Sequence, residues 1–70
     1  MKMTAVSSSN LASVGYDSAT RTLRVEFRSG AVYEYYDVPE AEYQGLMDAS
    51  SKGHYLHQNI KDRYRHTKIG

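Results

Sequence analysis

Hydrophobic and polar positions alternate most strictly over residues 22–28, where Leu23, Val25 and Phe27 share one face and Arg24, Glu26 and Arg28 the other. A period of two over that length predicts a half-buried β-strand. Upstream, residues 11–16 place Ala12, Val14 and Tyr16 on one face, and Asp17-Ser18-Ala19-Thr20 supplies turn chemistry directly after, so an earlier strand is expected there. Ser7-Ser8-Ser9-Asn10 reads as its lead-in. Downstream, Ser29-Gly30 turns the chain into Ala31–Val38, a run rich in residues that suit a pleated surface.

The hairpin register follows from both faces together. A two-residue Ser29-Gly30 loop would pair Val25 with Glu34 and place a carboxylate on the apolar face. A three-residue loop, Arg28-Ser29-Gly30, pairs Phe27 with Ala31, Val25 with Tyr33 and Leu23 with Tyr35. It also sets Arg24 opposite Glu34 on the solvent side and leaves Gly30 at the position that wants a left-handed residue. The second register is the expected one.

After the third strand the period changes. Asp37-Val38-Pro39-Glu40 reads as a helix start, with Asp37 as N-cap, Pro39 in the first turn and Glu40 closing a capping box. Tyr43, Leu46 and Met47 then recur at helical spacing to about Ser50. Ser51-Lys52-Gly53 breaks the chain, and Leu56, Ile60 and Tyr64 mark a second helix to roughly Tyr64. Arg65 to Gly70 is expected to fray. The fold class predicted is α+β: a three-stranded antiparallel β-meander followed by two α-helices packed on one sheet face. Arg24, Glu26, Val32, Glu34 and Tyr36 are left on the open face.

Composition narrows the chemistry. The chain has 70 residues, no cysteine, no tryptophan and one proline, but seven tyrosines. That length suits one domain, with a core at about residues 6–64, burying about 60% of the unfolded surface. Without cysteine there is neither a disulfide nor a thiolate nucleophile, and a zinc site would rest on histidine and carboxylate alone. No segment reads as a secretory signal or a membrane span, so no membrane association and a cytoplasmic location are expected. Charge is uneven. Residues 1–51 hold four basic and seven acidic residues, a net −3, whereas residues 52–70 hold five basic and one acidic, a net +4. A solvated helix face with a basic tail would explain this asymmetry; so would a surface that faces phosphates.

Candidate chemistry is sparse. No Gly-x-Ser-x-Gly elbow occurs, so a serine hydrolase is not expected. His54 and His57 lie three apart on the second helix, but no acidic residue sits at matching spacing, so no metal and no cofactor is expected. Glu40 and Glu42 belong to a first helical turn, where the macrodipole accounts for them. Ser50-Ser51-Lys52-Gly53 has the residue types of a phosphate-holding loop, although an interhelix turn uses the same residues for conformation alone. Tyr16, Tyr33, Tyr35, Tyr43 and Tyr64 fall on predicted buried faces. Tyr36 and Tyr55 are left as possible stacking platforms near Arg63 and Arg65.

The order Ser8-Ser9-Asn10-Leu11, Val14-Gly15-Tyr16-Asp17, Leu23-x-Val25-x-Phe27, Gly30-x-x-Tyr33-x-Tyr35 and Val38-Pro39, then Ser51-x-Gly53-x-Tyr55, Ile60 and Tyr64, resembles the KTSC domain. This short module is named after the C-terminal extension of certain lysyl-tRNA synthetases and also occurs as single-domain bacterial and phage proteins. Tyr33-Glu34-Tyr35 matches its central tyrosine-x-tyrosine motif. The resemblance implies no established activity, and none of the synthetase's catalytic motifs is present. RNA binding has been proposed for the family, which points the same way as the basic C-terminal quarter. The expectation is a non-enzymatic module that binds RNA, either tRNA or single-stranded, through Lys52, Lys61, Arg63 and Arg65, with Tyr55 or Tyr36 stacking on bases. The competing expectation is a protein-interaction or homodimerising module that uses the open sheet face or an unpaired strand edge.

Overall fold

The structure, a computed structural model, describes residues 1–70. Five antiparallel strands lie in the order β1 (Met3–Ala5), β2 (Leu11–Asp17), β3 (Thr22–Phe27), β4 (Val32–Tyr35) and β5 (His66–Lys68). Between β4 and β5 the chain forms helix α1 (Glu40–Asp48), then one helical turn, α2 (Lys52–Tyr55), that runs into a wider π-turn over Leu56–Ile60. Helices on one face of an antiparallel sheet make this an α+β fold, as expected, but the sheet has five strands rather than three.

The two additional strands are the outermost ones. β1 pairs Met3 with Gly15 and Ala5 with Ser13, and β5 pairs Tyr33 with Lys68 and Tyr35 with His66. The tail expected to fray is therefore hydrogen-bonded along β4, and its end is fixed by Ile69 N–H donating to Val32 O at 2.8 Å. Each of these strands has only three residues and little buried surface, so no alternation announces it. Backbone pairing to a sheet edge creates them.

The central hairpin has the expected register: Leu23 opposite Tyr35, Arg24 opposite Glu34 and Val25 opposite Tyr33. Phe27 N–H donates to Ala31 O at 2.8 Å, closing the three-residue loop, and Gly30 sits at φ +98°. In β2 the phase differs from the expectation. A bulge between Leu11 and Ser13 brings Leu11, rather than Ala12, into line with Val14 on the core face. Leu11 is fully buried as a result.

The core is one cluster. Leu11, Val14, Leu23, Val25 and Tyr35 from the sheet meet Val38, Leu46, Leu56 and Ile60 from the helical layer. Tyr16, Tyr33, Tyr43 and Tyr64 pack half-buried around it, as their positions predicted. The Tyr16 and Tyr43 rings stack at 4.8 Å, and Tyr16 also donates its hydroxyl to Val38 O.

Two helix details depart from the sequence reading. Asp37 adopts φ +57° and serves the turn out of β4, so Pro39 occupies the N-cap position and no side chain caps α1. An Asp tolerates the left-handed region, and that use displaces the capping box. The second helix is shorter than expected. Past Tyr55 the winding loosens: Lys61 N–H donates to Leu56 O, and the Asn59 side-chain amide donates to the Tyr55 carbonyl.

Candidate nucleic-acid interface

The basic residues of the C-terminal quarter do not form one surface; they divide between two concavities. Tyr36 marks the first. It follows β4 in phase with Glu34, so it lies on the outer face of the sheet. Its N–H donates to Arg65 O at 2.9 Å, which continues the β4–β5 pairing by one position and sets Arg65 opposite Tyr36. The Arg65 guanidinium lies over the Tyr36 ring, 5.9 Å from its centre, a cation–π arrangement. Arg65 also faces Asp37 at 3.6 Å, with both side chains about four-fifths exposed, so that ion pair restrains it only weakly.

Tyr36, Arg63, Arg65 and His66 line a shallow concavity of about 520 Å³, with Asp62 as its only carboxylate. Its floor is held from behind. The Tyr36 hydroxyl contacts Glu34 Oε1 at 3.3 Å, and Glu34 Oε2 accepts from Arg24 Nε at 3.0 Å. This chain of polar contacts links β3 to β4 and ties the Tyr36 ring to the sheet.

Lys52 and Lys61 lie elsewhere. Lys61 borders the largest cavity, about 580 Å³, whose floor is Leu11, Phe27 and Leu56. Asn10, Ser51, His54 and His57 complete its rim. Lys52 borders an adjoining groove of about 310 Å³ with Arg28 and a run of serines. Ser51 lines both of these, and neither shares a residue with the Tyr36 concavity. The positions 61 and 63 thus feed opposite sides of the same turn. Sequence reading did not single out Arg28 or Asn10, because both precede the basic quarter in the chain. Only the packing of the Ser8–Asn10 segment against Gly53 brings them to Lys52 and Lys61; a Cβ on Gly53 would come within 3.0 Å of Asn10 Nδ2.

Tyr55 needs correction as an exposed platform. It is half-buried against α1, where a Cβ on Gly45 would lie 2.9 Å from its ring, and its hydroxyl donates to Glu42 Oε1 at 2.6 Å. Tyr64 donates to the other oxygen of the same carboxylate at 2.9 Å. The Glu42 bond, then burial, pushes the Tyr55 hydroxyl up to about 12, while burial first and Glu42 second raise that of Tyr64. Burial, with Tyr33 beside it, raises Tyr35. Glu42 therefore ties α1 to α2 and to the turn before β5, and Tyr55 belongs to that tie. His54 and His57 line the same cavity, but no group of three or more His, Asp or Glu side chains converges to hold a metal.

Against known proteins, the KTSC domain family matches residues 7–64. This chain belongs to the KTSC domain family. It is 44% identical over 70 residues to an uncharacterised protein of Stutzerimonas stutzeri, each chain covered over 99% of its length. A lysine–tRNA ligase of Trichormus variabilis is 44% identical over 54 residues, which are 77% of this chain and 10% of the ligase; the KTSC chain thus spans about a tenth of that enzyme. The crystal structure of a KTSC domain protein from Yersinia pestis superposes with a TM-score of 0.95 at 40% identity, covering 99% of this chain and 97% of the other. The family match ends at residue 64. Arg65 and His66 of the Tyr36 concavity fall beyond it, whereas every residue lining the larger cavity falls within it. No helix of this KTSC protein is long and apolar enough to cross a membrane.

Proposed function

We propose that this KTSC protein is a non-catalytic module that binds single-stranded RNA or the unpaired regions of tRNA. The observation that carries the reading is the Tyr36 ring, backed by Glu34, with Arg65 over it and Arg63 and His66 alongside. An aromatic ring set among guanidinium groups is how a protein stacks an unpaired base while neutralising the phosphates that flank it. Lys52 and Lys61 add phosphate contacts from the other side of the turn. The occurrence of this region within lysine–tRNA ligases supports an RNA partner. The protein-docking alternative has less behind it. The edge strands are only three residues long, which limits strand addition, and the open face carries the Arg24–Glu34 ion pair rather than an apolar patch.

Fluorescence anisotropy with a labelled single-stranded RNA, a tRNA and a DNA duplex tests this reading. The expected result is binding to the first two that weakens as salt rises, with a log–log slope of about −0.7 per phosphate neutralised on a single strand. Tyr36→Ala is expected to cost about 1–3 kcal/mol of affinity. Absence of binding at the lowest salt would overturn the proposal. A concentration-dependent dimer seen by light scattering, without RNA binding, would favour the docking alternative.

A further inference from the structure

The Tyr36 concavity leaves the largest cavity of the molecule without a role, and its chemistry is different. Phe27 packs against the core yet is only half-buried, and it lines this cavity beside Leu11 and Leu56. Above that apolar floor, the side chains of Asn10, His54, His57 and Lys61 are exposed and make no hydrogen bond or ion pair within the chain, apart from their backbone groups. The adjoining groove reached through Ser51 has no hydrophobic residue in its lining. Its two cations are held in place by carbonyls: Arg28 Nε donates to Ser8 O at 2.6 Å and Lys52 Nζ to Ala49 O at 3.1 Å. Those bonds leave the Arg28 terminal nitrogens and two Lys52 protons free. The hydroxyls of Ser7, Ser9 and Ser50 are likewise without an intramolecular partner. Of the eight carboxylates in the chain, none lines either space.

We propose that the cavity and the groove form one site for a phosphorylated nucleoside, with the base over Phe27 and the phosphate between Arg28, Lys52 and the serines. The cavity volume is that of a small-molecule pocket, with an apolar floor and a few polar groups at the rim. Asn10 offers a donor and an acceptor together, the arrangement that pairs with the edge of adenine. Arginine and lysine without a competing carboxylate supply the phosphate partner. The same chemistry is met in a free mononucleotide and in the 5′-terminal nucleotide of a strand. The site shares no lining residue with the Tyr36 concavity, and although Lys52 and Lys61 are also phosphate contacts in the single-strand reading, variants at Phe27 and Arg28 or at Tyr36 and Arg65 distinguish the two.

The test is titration of the isotopically labelled 70-residue chain with AMP, adenosine and a short RNA with or without a 5′-phosphate, following backbone amide shifts by NMR. The expected result is saturable change at Asn10, Arg28, Ser51 and Gly53, with AMP binding about tenfold or more tighter than adenosine. Phe27→Leu, which keeps an apolar side chain at the cavity floor, is expected to weaken AMP about fivefold or more through the lost stacking. Arg28→Gln with Lys52→Gln is expected to abolish the preference for AMP over adenosine, while Arg63→Gln with Arg65→Gln leaves it intact. Saturable binding of AMP at these amides supports a free nucleotide as ligand. Binding confined to the 5′-phosphorylated strand, at the same amides, supports the strand end. Shifts centred on Tyr36 and Arg65, or no saturation by either ligand at about 10 mM, a limit near 3 kcal/mol of binding, would overturn the proposal.

Discussion

The β2–β3–β4 sheet and the segment from Lys52 to Lys68 are held by different forces. In the sheet, Leu23, Val25 and Val14 are fully buried and every second position points into the core. In the C-terminal segment only Leu56 and Ile60 are buried. The rest is fastened by polar contacts: two tyrosine hydroxyls on Glu42, the Arg65 carbonyl on Tyr36 N–H, and the short β4–β5 ladder. Apolar burial gives a rigid platform, whereas polar tethers at half-exposed positions give a part that opens at lower cost. The basic side chains proposed to meet RNA are carried mostly on the second kind of structure.

That contrast predicts a gradient of effects. Leu23→Ala, a truncation in the fully buried sheet core, is expected to destabilise the whole molecule by about 2–5 kcal/mol, with a single cooperative transition in urea. Ending the chain after Tyr64 should be milder and local. It removes β5 and the Arg65–Tyr36 contact, so amide exchange is expected to accelerate along Val32–Tyr36 while the amides of β2 and β3 keep their protection. Uniform loss of protection across the sheet would mean that the edge strand is integral to the core. The smallest effect is expected from Tyr55→Phe, which leaves Glu42 with one hydroxyl donor and should cost about 1 kcal/mol.

Tyr55→Phe also carries a pH signature. The Tyr55 hydroxyl is raised from 10.0 to about 12 in the folded chain, so the folded state holds that proton more tightly than the unfolded state. Its contribution is fully present below pH 10 and is lost as pH rises through about 12. Thermal melts at increasing pH should therefore show a steeper alkaline loss of stability for the natural chain than for Tyr55→Phe. Parallel curves would mean that the Glu42 bond does not hold α2.

What could be read from the sequence divides along the same line. The register of the central hairpin was legible because Arg24 and Glu34 on one face and Val25 and Tyr33 on the other allow only one loop length. Leu11 was not, because a bulge next to the small Ala12 changes the phase of β2 without leaving a turn residue to mark it. The N-cap was misread because Asp37 suits a left-handed turn as well as a cap, and a sequence does not say which use prevails. β5 was invisible for a physical reason: His66-Thr67-Lys68 is exposed throughout, so its strand character comes from the β4 edge and not from its own side chains. Of the site, the basic character was legible and its division was not, since Lys61 and Arg63 are two positions apart in the chain but border different concavities. Tyr55 was placed among the free tyrosines because its partner, Glu42, is 13 residues away.

The strand order has a consequence for attachment. β1 and β5 are the first and last strands and lie at opposite edges of the sheet, four inter-strand spacings of about 4.8 Å, or roughly 19 Å, apart. A larger polypeptide joined ahead of Met3 would therefore arrive at the β1 edge, away from Tyr36 and Arg65 beside β5. A tether on the β1 edge would thus leave the β5 edge, with the proposed Tyr36–Arg65 contact surface, facing outward.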